Sequence, residues 1–213
     1  VVGGRTFATI GTGSNHSCAI DAAGAAHCWG YNQSGELGNG TTTNSLLPTP
    51  VAGGVAFQKI VLGGTPVEWG GTADGFTCGI GVDGVTRCWG TSAGCKTGAG
   101  HCIVRANPFP APVNGGPEFV DLTAGRQSTC GRAADGFAYC WGGNFEMTFG
   151  GSLAGNDSSA ASSTATRLAA DPSNPTVASV TNLVTGSYDG FSPGSGFPSG
   201  SEANSIAAFD DIV

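Results

Sequence analysis

Residues 18–30 read CAIDAAGAAHCWG, and the same arrangement returns twice, as CGIGVDGVTRCWG at residues 78–90 and as CGRAADGFAYCWG at residues 130–142. In each copy nine residues separate two cysteines, and Trp-Gly follows the second cysteine. Self-similarity at a period of roughly fifty residues is typical of an array of small supersecondary units. The chain is therefore predicted to be a repeat protein.

The copies also share their opening. A phrase of the form Phe-x-x-hydrophobic-x-x-Gly begins at Phe7, Phe57 and Phe119, and a related fourth opening begins at Val180. The phrase Val-x-Gly-Gly precedes each of the first three openings. The predicted division is residues 1–6 as the tail of a preceding repeat, 7–56 as repeat 1, 57–118 as repeat 2, 119–176 as repeat 3, 177–190 as the start of repeat 4, and 191–213 as a Gly/Ser/Pro-rich extended C-terminal segment.

Each cysteine pair predicts a β-hairpin. Asp and Gly near the middle of the intervening residues supply the chemistry of a tight turn, so that two short strands bring the cysteines opposite one another. Directly opposed residues on antiparallel strands lie within the range that a disulfide tolerates, and each bridge should contribute about 3 kcal/mol. The predicted pairs are Cys18 with Cys28, Cys78 with Cys88, and Cys130 with Cys140.

A zinc site is the competing interpretation of the first pair, because His16 and His27 flank it as in a two-Cys, two-His site. Strand alternation argues against zinc, since His27 adjoins Cys28 and points to the opposite face. The other copies carry Arg87 and Tyr139 where His27 stands. We therefore expect a disulfide and no metal or cofactor.

The remaining cysteines, Cys95 and Cys102, lie in the loop after the second Trp-Gly, with Lys96 and His101 nearby. A loop-stapling disulfide is favoured there over a pair of metal ligands. Eight cysteines in four such pairs indicate an oxidising compartment, so the protein is expected outside the cytoplasm, as a secreted, cell-surface or periplasmic protein. Any targeting segment or anchor is expected to have been removed or to lie outside this sequence.

Charge and hydropathy exclude some partners. Charged residues make up 11% of the chain and the net charge is −7, which leaves no basic stripe to follow a phosphate backbone. No apolar run approaches the length needed to cross a bilayer. We therefore expect no nucleic-acid partner and no membrane-spanning segment.

Composition predicts an all-β fold. The chain has 38 glycines, one methionine and no long helical periodicity, which is typical of short strands joined by tight turns. Repeats with about four strands and a periodic aromatic residue are typical of β-propeller blades. Trp29, Trp89 and Trp141 are then predicted to pack one blade on the next, and an exposed aromatic binding strip is the alternative.

The first copy resembles the repeats of the regulator of chromosome condensation family. Those units read His-Ser-Cys-Ala-Leu and, after a turn, Cys-Trp-Gly-x-Asn-x-x-Gly-Gln-Leu-Gly, and this chain has HSCAI at residues 16–20 and CWGYNQSGELG at residues 28–38. The resemblance implies blades of a seven-bladed propeller, and the cysteine-bearing version is similar to extracellular bacterial members. Seven units would need some 350 residues, so the chain is expected to form an incomplete or partial propeller, completed by further polypeptide or by another subunit.

No catalytic constellation is visible, because the chain has three histidines, no nucleophile motif and no clustered carboxylates. Glu36 and Glu146 are expected to be solvated loop residues. The predicted function is non-catalytic binding of a protein partner outside the cytoplasm through the loops between blades. Its candidate partner-binding residues are Trp69 and Glu68, in a loop insertion of repeat 2, and Phe145.

Two alternatives remain open. The chain could be a structural surface subunit of a large extracellular or membrane-associated assembly or filament, with the Gly/Ser/Pro-rich end draped along a neighbour. A weaker alternative is a carbohydrate-binding propeller, which requires exposed aromatic side chains with polar neighbours in several loops. Trp69, Phe109 and Phe145 are the candidates for that role.

Overall fold

The structure is a computed structural model that describes residues 4–65, 74–91, 106–142, 162–167, 184–185 and 206–207. Within these ranges all regular structure is β-strand, and every strand pairs antiparallel with its neighbour. The predicted all-β fold is confirmed.

Three of the sheets have four strands, and in each the spatial order of the strands follows the chain. The first blade contains β1 (Thr9–Thr12), β2 (His16–Ile20), β3 (Ala26–Gly30) and β4 (Ser45–Pro50); the second contains β5 (Phe57–Thr65), β6 (Asp74–Gly81), β7 (Thr86–Gly90) and β8 (Asn107–Pro112); the third contains β9 (Phe119–Ala124), β10 (Ser128–Ala133), β11 (Ala138–Gly142) and β12 (Ser162–Arg167). Each sheet falls within one predicted repeat. This arrangement is that of propeller blades.

A two-stranded sheet follows the third blade. It pairs β13 (Val184–Thr185) with β14 (Ile206–Ala207), and β13 lies against β9. β13 falls in the predicted start of repeat 4. β14 falls in the predicted extended C-terminal segment, where it supplies backbone hydrogen bonds to β13.

The turn of each central hairpin forms because Asp and Gly stand where its geometry needs them. Asp21 accepts hydrogen bonds from the backbone N–H groups of Ala23 and Ala25, both at 2.9 Å. Gly24 has a φ of 84°, a conformation that is costly for a residue with a Cβ. The turns of the second and third blades place Gly84 and Gly136 in the same left-handed region.

These turns set the strand register in which the two cysteines of each hairpin lie opposite each other. Cys18–Cys28, Cys78–Cys88 and Cys130–Cys140 are directly opposed strand partners, bonded with Cα–Cα distances of 4.1 Å. They are the three hairpin pairs that the sequence predicts. Because both sulfurs of the first pair are bonded to each other, the zinc interpretation of that pair is wrong.

The cores lie between blades. In the core between the first and second blades, Cys18, Cys28 and Leu37 pack on Phe57 and Trp89. The core between the second and third blades repeats the scheme, and its members are Phe76, Cys78, Ile80, Cys88, Phe119, Leu122, Ala133, Trp141 and Ala165. The disulfides of the first and second blades thus pack against the Phe and Trp of the following blade, so face-to-face packing buries what a single small sheet would leave in water.

Candidate functional site

Several predicted site residues lie outside the described residues. These are the candidate partner-binding residues Trp69, Glu68 and Phe145, and the fourth cysteine pair, Cys95 and Cys102. Those predictions stand untested. The described part of the chain offers two other features: the loop after the first Trp-Gly and the outer strands of the blades.

We call residues 31–44 the clasp loop, because they connect β3 to β4 within the first blade and form hydrogen bonds to the second blade. Asn32, which is fully buried, holds the loop together. Its side-chain oxygen accepts from the N–H of Leu37 at 2.9 Å, and its Nδ2 donates to the carbonyl oxygens of Thr41 and Thr43 at 3.0 Å. The loop therefore keeps one shape although it contains no strand or helix.

The clasp loop bonds to two strands of the second blade. Trp89 Nε1 on β7 donates to the carbonyl oxygen of Glu36 at 2.8 Å. Gly40 N–H donates to the carbonyl oxygen of Pro108 at 2.9 Å, at the start of β8. A Cβ on Gly38 would lie 2.6 Å from Trp89 Nε1, so the close contact depends on glycine. The loop is thereby fixed across the junction of the two blades.

Glu36 corrects one expectation from the sequence. Its side chain is fully buried at the junction rather than solvated, and its Oε2 accepts from the N–H of Ser34 at 2.8 Å. Burial raises the pKa of the Glu36 carboxyl, although backbone hydrogen bonds partly oppose that shift. The residue was missed because a glutamate between glycines in a polar loop carries no local sign of burial.

The three repeat tryptophans differ in burial. Trp89 and Trp141 are fully buried, with ring centroids 5.6 Å from Phe57 and 5.5 Å from Phe119 respectively. Trp29 is half-buried and stacks on Phe7, with a centroid distance of 6.1 Å. The difference arises because a preceding blade covers the tryptophan face of the second and third blades, whereas no described residues cover that of the first.

The hydrophobic residue in the opening phrase of each repeat shows the same difference in burial. Ile10 in the first blade is 62% exposed, whereas its counterparts in the next two blades, Ile60 and Leu122, belong to the cores between blades. Among the described residues, no blade packs on this face of the first blade.

The outer strands also present apolar side chains. Leu46 and Leu47 on β4 are 95% and 53% exposed, and Phe109 on β8 is 55% exposed. Leu47 and Phe109 hold equivalent positions, each two residues after the strand residue that pairs with the glycine of Trp-Gly. Proline recurs in both strands, which removes backbone donors from these edges and discourages edge-to-edge pairing. These edges therefore present side chains more than free backbone donors.

The described residues contain no group of three or more His, Cys, Asp and Glu side chains able to hold a metal ion. They also contain no helix long and apolar enough to cross a membrane. Their polar clusters include the clasp loop, the Asp83–Arg87 ion pair within the second blade and the Lys59–Asp121 ion pair between the second and third blades. These groups join parts of the fold.

Comparison with known proteins agrees with this architecture. Two models of the regulator of chromosome condensation (RCC1) repeat match the chain, one over residues 23–65 and the other over residues 7–36. The match over residues 7–36 covers the central hairpin and the disulfide of the first blade, and the match over residues 23–65 covers the clasp loop and the first strand of the second blade. The chain is built of RCC1-like repeats.

Proteins similar in sequence to this chain are much longer. The chain is 29% identical over 138 residues to the serine/threonine-protein kinase-like protein CCR2 of Arabidopsis thaliana, covering 62% of this chain and 15% of that protein. It is 27% identical over 139 residues to the E3 ubiquitin-protein ligase HERC2 of Homo sapiens, covering 65% of this chain and 3% of that protein. The RCC1-like chain thus spans a small part of these relatives.

Solved RCC1-type structures share the fold. Yeast RCC1 (Prp20), in a structure bound to Kap60, superimposes with a TM-score of 0.65 at 19% identity, covering 84% of this chain and 40% of that chain. Human WBSCR16 superimposes with a TM-score of 0.66 at 16% identity, covering 85% and 43%. The described blades therefore form part of an RCC1-like β-propeller, and the chain spans about two-fifths of each of these structures.

Proposed function

We propose that this chain is a non-catalytic protein-interaction module that works outside the cytoplasm and binds a protein partner with the loops and outer strands of its blades. The observation that carries the proposal is the contrast between a fixed interior and apolar side chains left in water. Leu46, Leu47 and Phe109 are exposed on strands whose backbones are held by paired, disulfide-clipped neighbours. Rigid apolar side chains on a polar surface favour a protein partner.

The disulfides support a location outside the cytoplasm. Three buried disulfides join the central strands of the three blades. Structural disulfides are rare in the cytosol, where thiols are kept reduced, and common in secreted, periplasmic and cell-surface proteins. A non-catalytic role is consistent with a sequence that has three histidines and no nucleophile motif.

A protein partner is favoured over nucleic acid by charge. The net charge of −7 would repel a phosphate backbone. The structures that share the fold include yeast RCC1 (Prp20) bound to Kap60, and Prp20p studied for its binding to Gsp1p and histones. Those partners belong to those proteins, and they support the general proposal that such a propeller surface can bind protein.

The experiment is quantitative co-purification of the full chain from its native source, with surface variants. Leu47→Ser and Phe109→Ser change equivalent positions on neighbouring outer strands. Val82→Ser is the matched control, because Val82 is 68% exposed but lies on the β6–β7 turn rather than on an outer strand. Trp69→Ala tests the loop insertion in the same assay.

We expect partner recovery to fall at least tenfold for one of the outer-strand or loop variants, since a loss of about 1.4 kcal/mol corresponds to that factor. The control should recover the partner as the natural chain does. Equal recovery by all four variants would contradict the proposed surface.

A structural subunit of a larger extracellular assembly is the second candidate. It is favoured by the apolar side chains exposed on the outer strands, Leu46, Leu47 and Phe109, which a neighbouring subunit would bury. Sedimentation of the native complex tests this candidate, which requires a stable assembly that dissociates when Leu47→Asp is introduced.

A further inference from the structure

A chain of buried polar groups crosses the junction between the first and second blades. His16 on β2 is buried, and its Nε2 lies 2.8 Å from Thr77 Oγ1 on β6. Thr77 Oγ1 in turn donates to the carbonyl oxygen of Glu36 at 3.0 Å. Buried polar groups of this kind are costly unless each finds a hydrogen-bond partner, so the position of every proton matters.

The geometry assigns the tautomer of His16. A threonine hydroxyl has a single hydrogen, and Thr77 gives it to the carbonyl oxygen of Glu36. Thr77 must therefore accept from His16, which places the imidazole proton on Nε2 and a lone pair on Nδ1. His16 Nδ1 is buried and has no hydrogen-bond partner in the structure.

A second unpartnered atom faces the same place. Glu36 Oε2 accepts from the N–H of Ser34, whereas Oε1 is buried without a partner. Both unpartnered atoms lie beside Gly75 on β6: the point where a Cβ would stand is 3.2 Å from His16 Nδ1 and 3.3 Å from Glu36 Oε1. The missing side chain of Gly75 thus leaves both acceptors beside the same small space.

We propose that Glu36 and His16 form a proton-operated lock between the first two blades, in which the protonated Glu36 carboxyl donates toward His16 Nδ1. One proton then satisfies the two buried atoms that have no hydrogen-bond partner in the structure, Glu36 Oε1 and His16 Nδ1. Loss of that proton leaves a buried carboxylate beside a lone pair, and gain of a second places an imidazolium in the apolar core. Either loss of this proton or gain of a second one therefore weakens the junction between the blades.

Burial supports the neutral state of both groups. Burial raises the pKa of Glu36 and lowers the pKa of His16 to about 4. The elements around the pair bring few other ionisable groups: Asp74 adjoins Gly75 on β6, Lys59 on β5 is paired with Asp121, and β1 has none. On β7, Arg87 is paired with Asp83.

The direction of the pH dependence follows from these shifts. The contribution of Glu36 is fully present below its unfolded pKa and is lost as pH rises through the raised folded value. The contribution of His16 is fully present above its ordinary pKa of 6.5 and is lost as pH falls through about 4. The junction should therefore be most stable in a mildly acidic window.

The repeat unit that the first copy resembles suggests the decisive variant. Glutamine stands at the position of Glu36 in the repeat unit that the first copy resembles, and an amide can donate to His16 Nδ1 at any pH. Glu36→Gln should therefore hold the lock closed permanently. Glu118→Gln is the matched control, because Glu118 is exposed and its change removes the same charge.

The test compares the melting temperatures of the natural chain and both variants between pH 4 and pH 9. Unfolding of the full chain is monitored by tryptophan fluorescence. Relative to the natural chain, Glu36→Gln should raise Tm by about 2–4 °C at pH 8 and less at pH 5, whereas Glu118→Gln should shift Tm equally at both. If Tm changed with pH in the same way in the natural chain and in Glu36→Gln, the proposal would be overturned.

A direct titration covers the case in which Glu36→Gln does not fold. Carboxyl-carbon NMR of the natural chain should show one glutamate titrating above the usual range. Titration of all glutamates at ordinary values would also overturn the proposal.

Discussion

Trp89 Nε1 donates a 2.8 Å hydrogen bond to the carbonyl oxygen of Glu36, and this bond joins the third strand of the second blade to the loop that leaves the first. The indole ring at the same time packs with Phe57 in the core between the blades. One side chain thus combines apolar burial with a directional contact, which fixes the two blades in a single relative position.

Trp89→Phe should destabilise the fold by about 1–3 kcal/mol, because the carbonyl oxygen of Glu36 loses a buried donor while most of the ring packing is retained. Denaturant unfolding measures the change. Trp29→Phe is the matched control, since Trp29 holds the same repeat position but is half-buried. An equal loss in both variants would mean that the hydrogen bond to Glu36 contributes little.

Gly38→Ala tests the contact between the clasp loop and Trp89. Gly38 and Gly54 both have a φ of 65°, but a Cβ on Gly38 would meet Trp89 and a Cβ on Gly54 would meet nothing within 4 Å. Both alanine variants should lose about 1–2 kcal/mol to the left-handed backbone, and Gly38→Ala about 1–3 kcal/mol more to steric overlap. Thermal unfolding of the two variants should differ by the second amount, and similar melting temperatures would refute a tight clasp.

Asn32→Asp should open the clasp loop. The substitution replaces two amide hydrogens with carboxylate oxygen that faces the carbonyl groups of Thr41 and Thr43. We expect a loss of at least about 1–3 kcal/mol at neutral pH, and a smaller loss in acid, where the protonated carboxyl regains a donor.

Gln33→Glu is the control for Asn32→Asp, because it adds the same charge at the adjacent exposed position. Hydrogen exchange of the Leu37 amide, which Asn32 holds, reports on the loop directly. Unchanged protection of that amide in Asn32→Asp would argue against the assigned role of Asn32.

The hairpins could be predicted from the sequence because their signals are local. Cys18 and Cys28 are ten residues apart, with Asp21 and Gly24 between them in the positions that a tight turn requires. Because the same pattern recurs in two further copies, the strand register of the central hairpin in all three blades could be predicted. Local chemistry and the hydrophobic repeat therefore sufficed for the blades.

The contacts between blades could not be predicted in the same way. His16 and Thr77 are 61 residues apart, and the partner of a histidine at that distance depends on the angle at which two sheets pack. Glu36 was expected in solvent because its burial depends on Trp89 and Gly75 of the next blade. Charge and polarity in a loop give no sign of what a neighbouring sheet will cover.

Lys59 and Asp121 provide an example of such a contact with a small energetic effect. They occupy equivalent positions in the second and third blades and form an ion pair, but both side chains are partly exposed. A double-mutant cycle of Lys59→Met and Asp121→Asn should give a coupling energy below about 1 kcal/mol, decreasing with added salt. A coupling of several kcal/mol would show that the pair is a main link between the blades.

The most direct test of the proposed function is native mass spectrometry of the protein isolated from its source, with thiol alkylation before and after reduction. We predict that none of the eight cysteines is alkylated before reduction, that all are alkylated after it, and that the chain carries a bound protein partner. Free thiols in the isolated protein would contradict a site of action outside the cytoplasm. An oxidised chain isolated without any protein partner would contradict the interaction module itself.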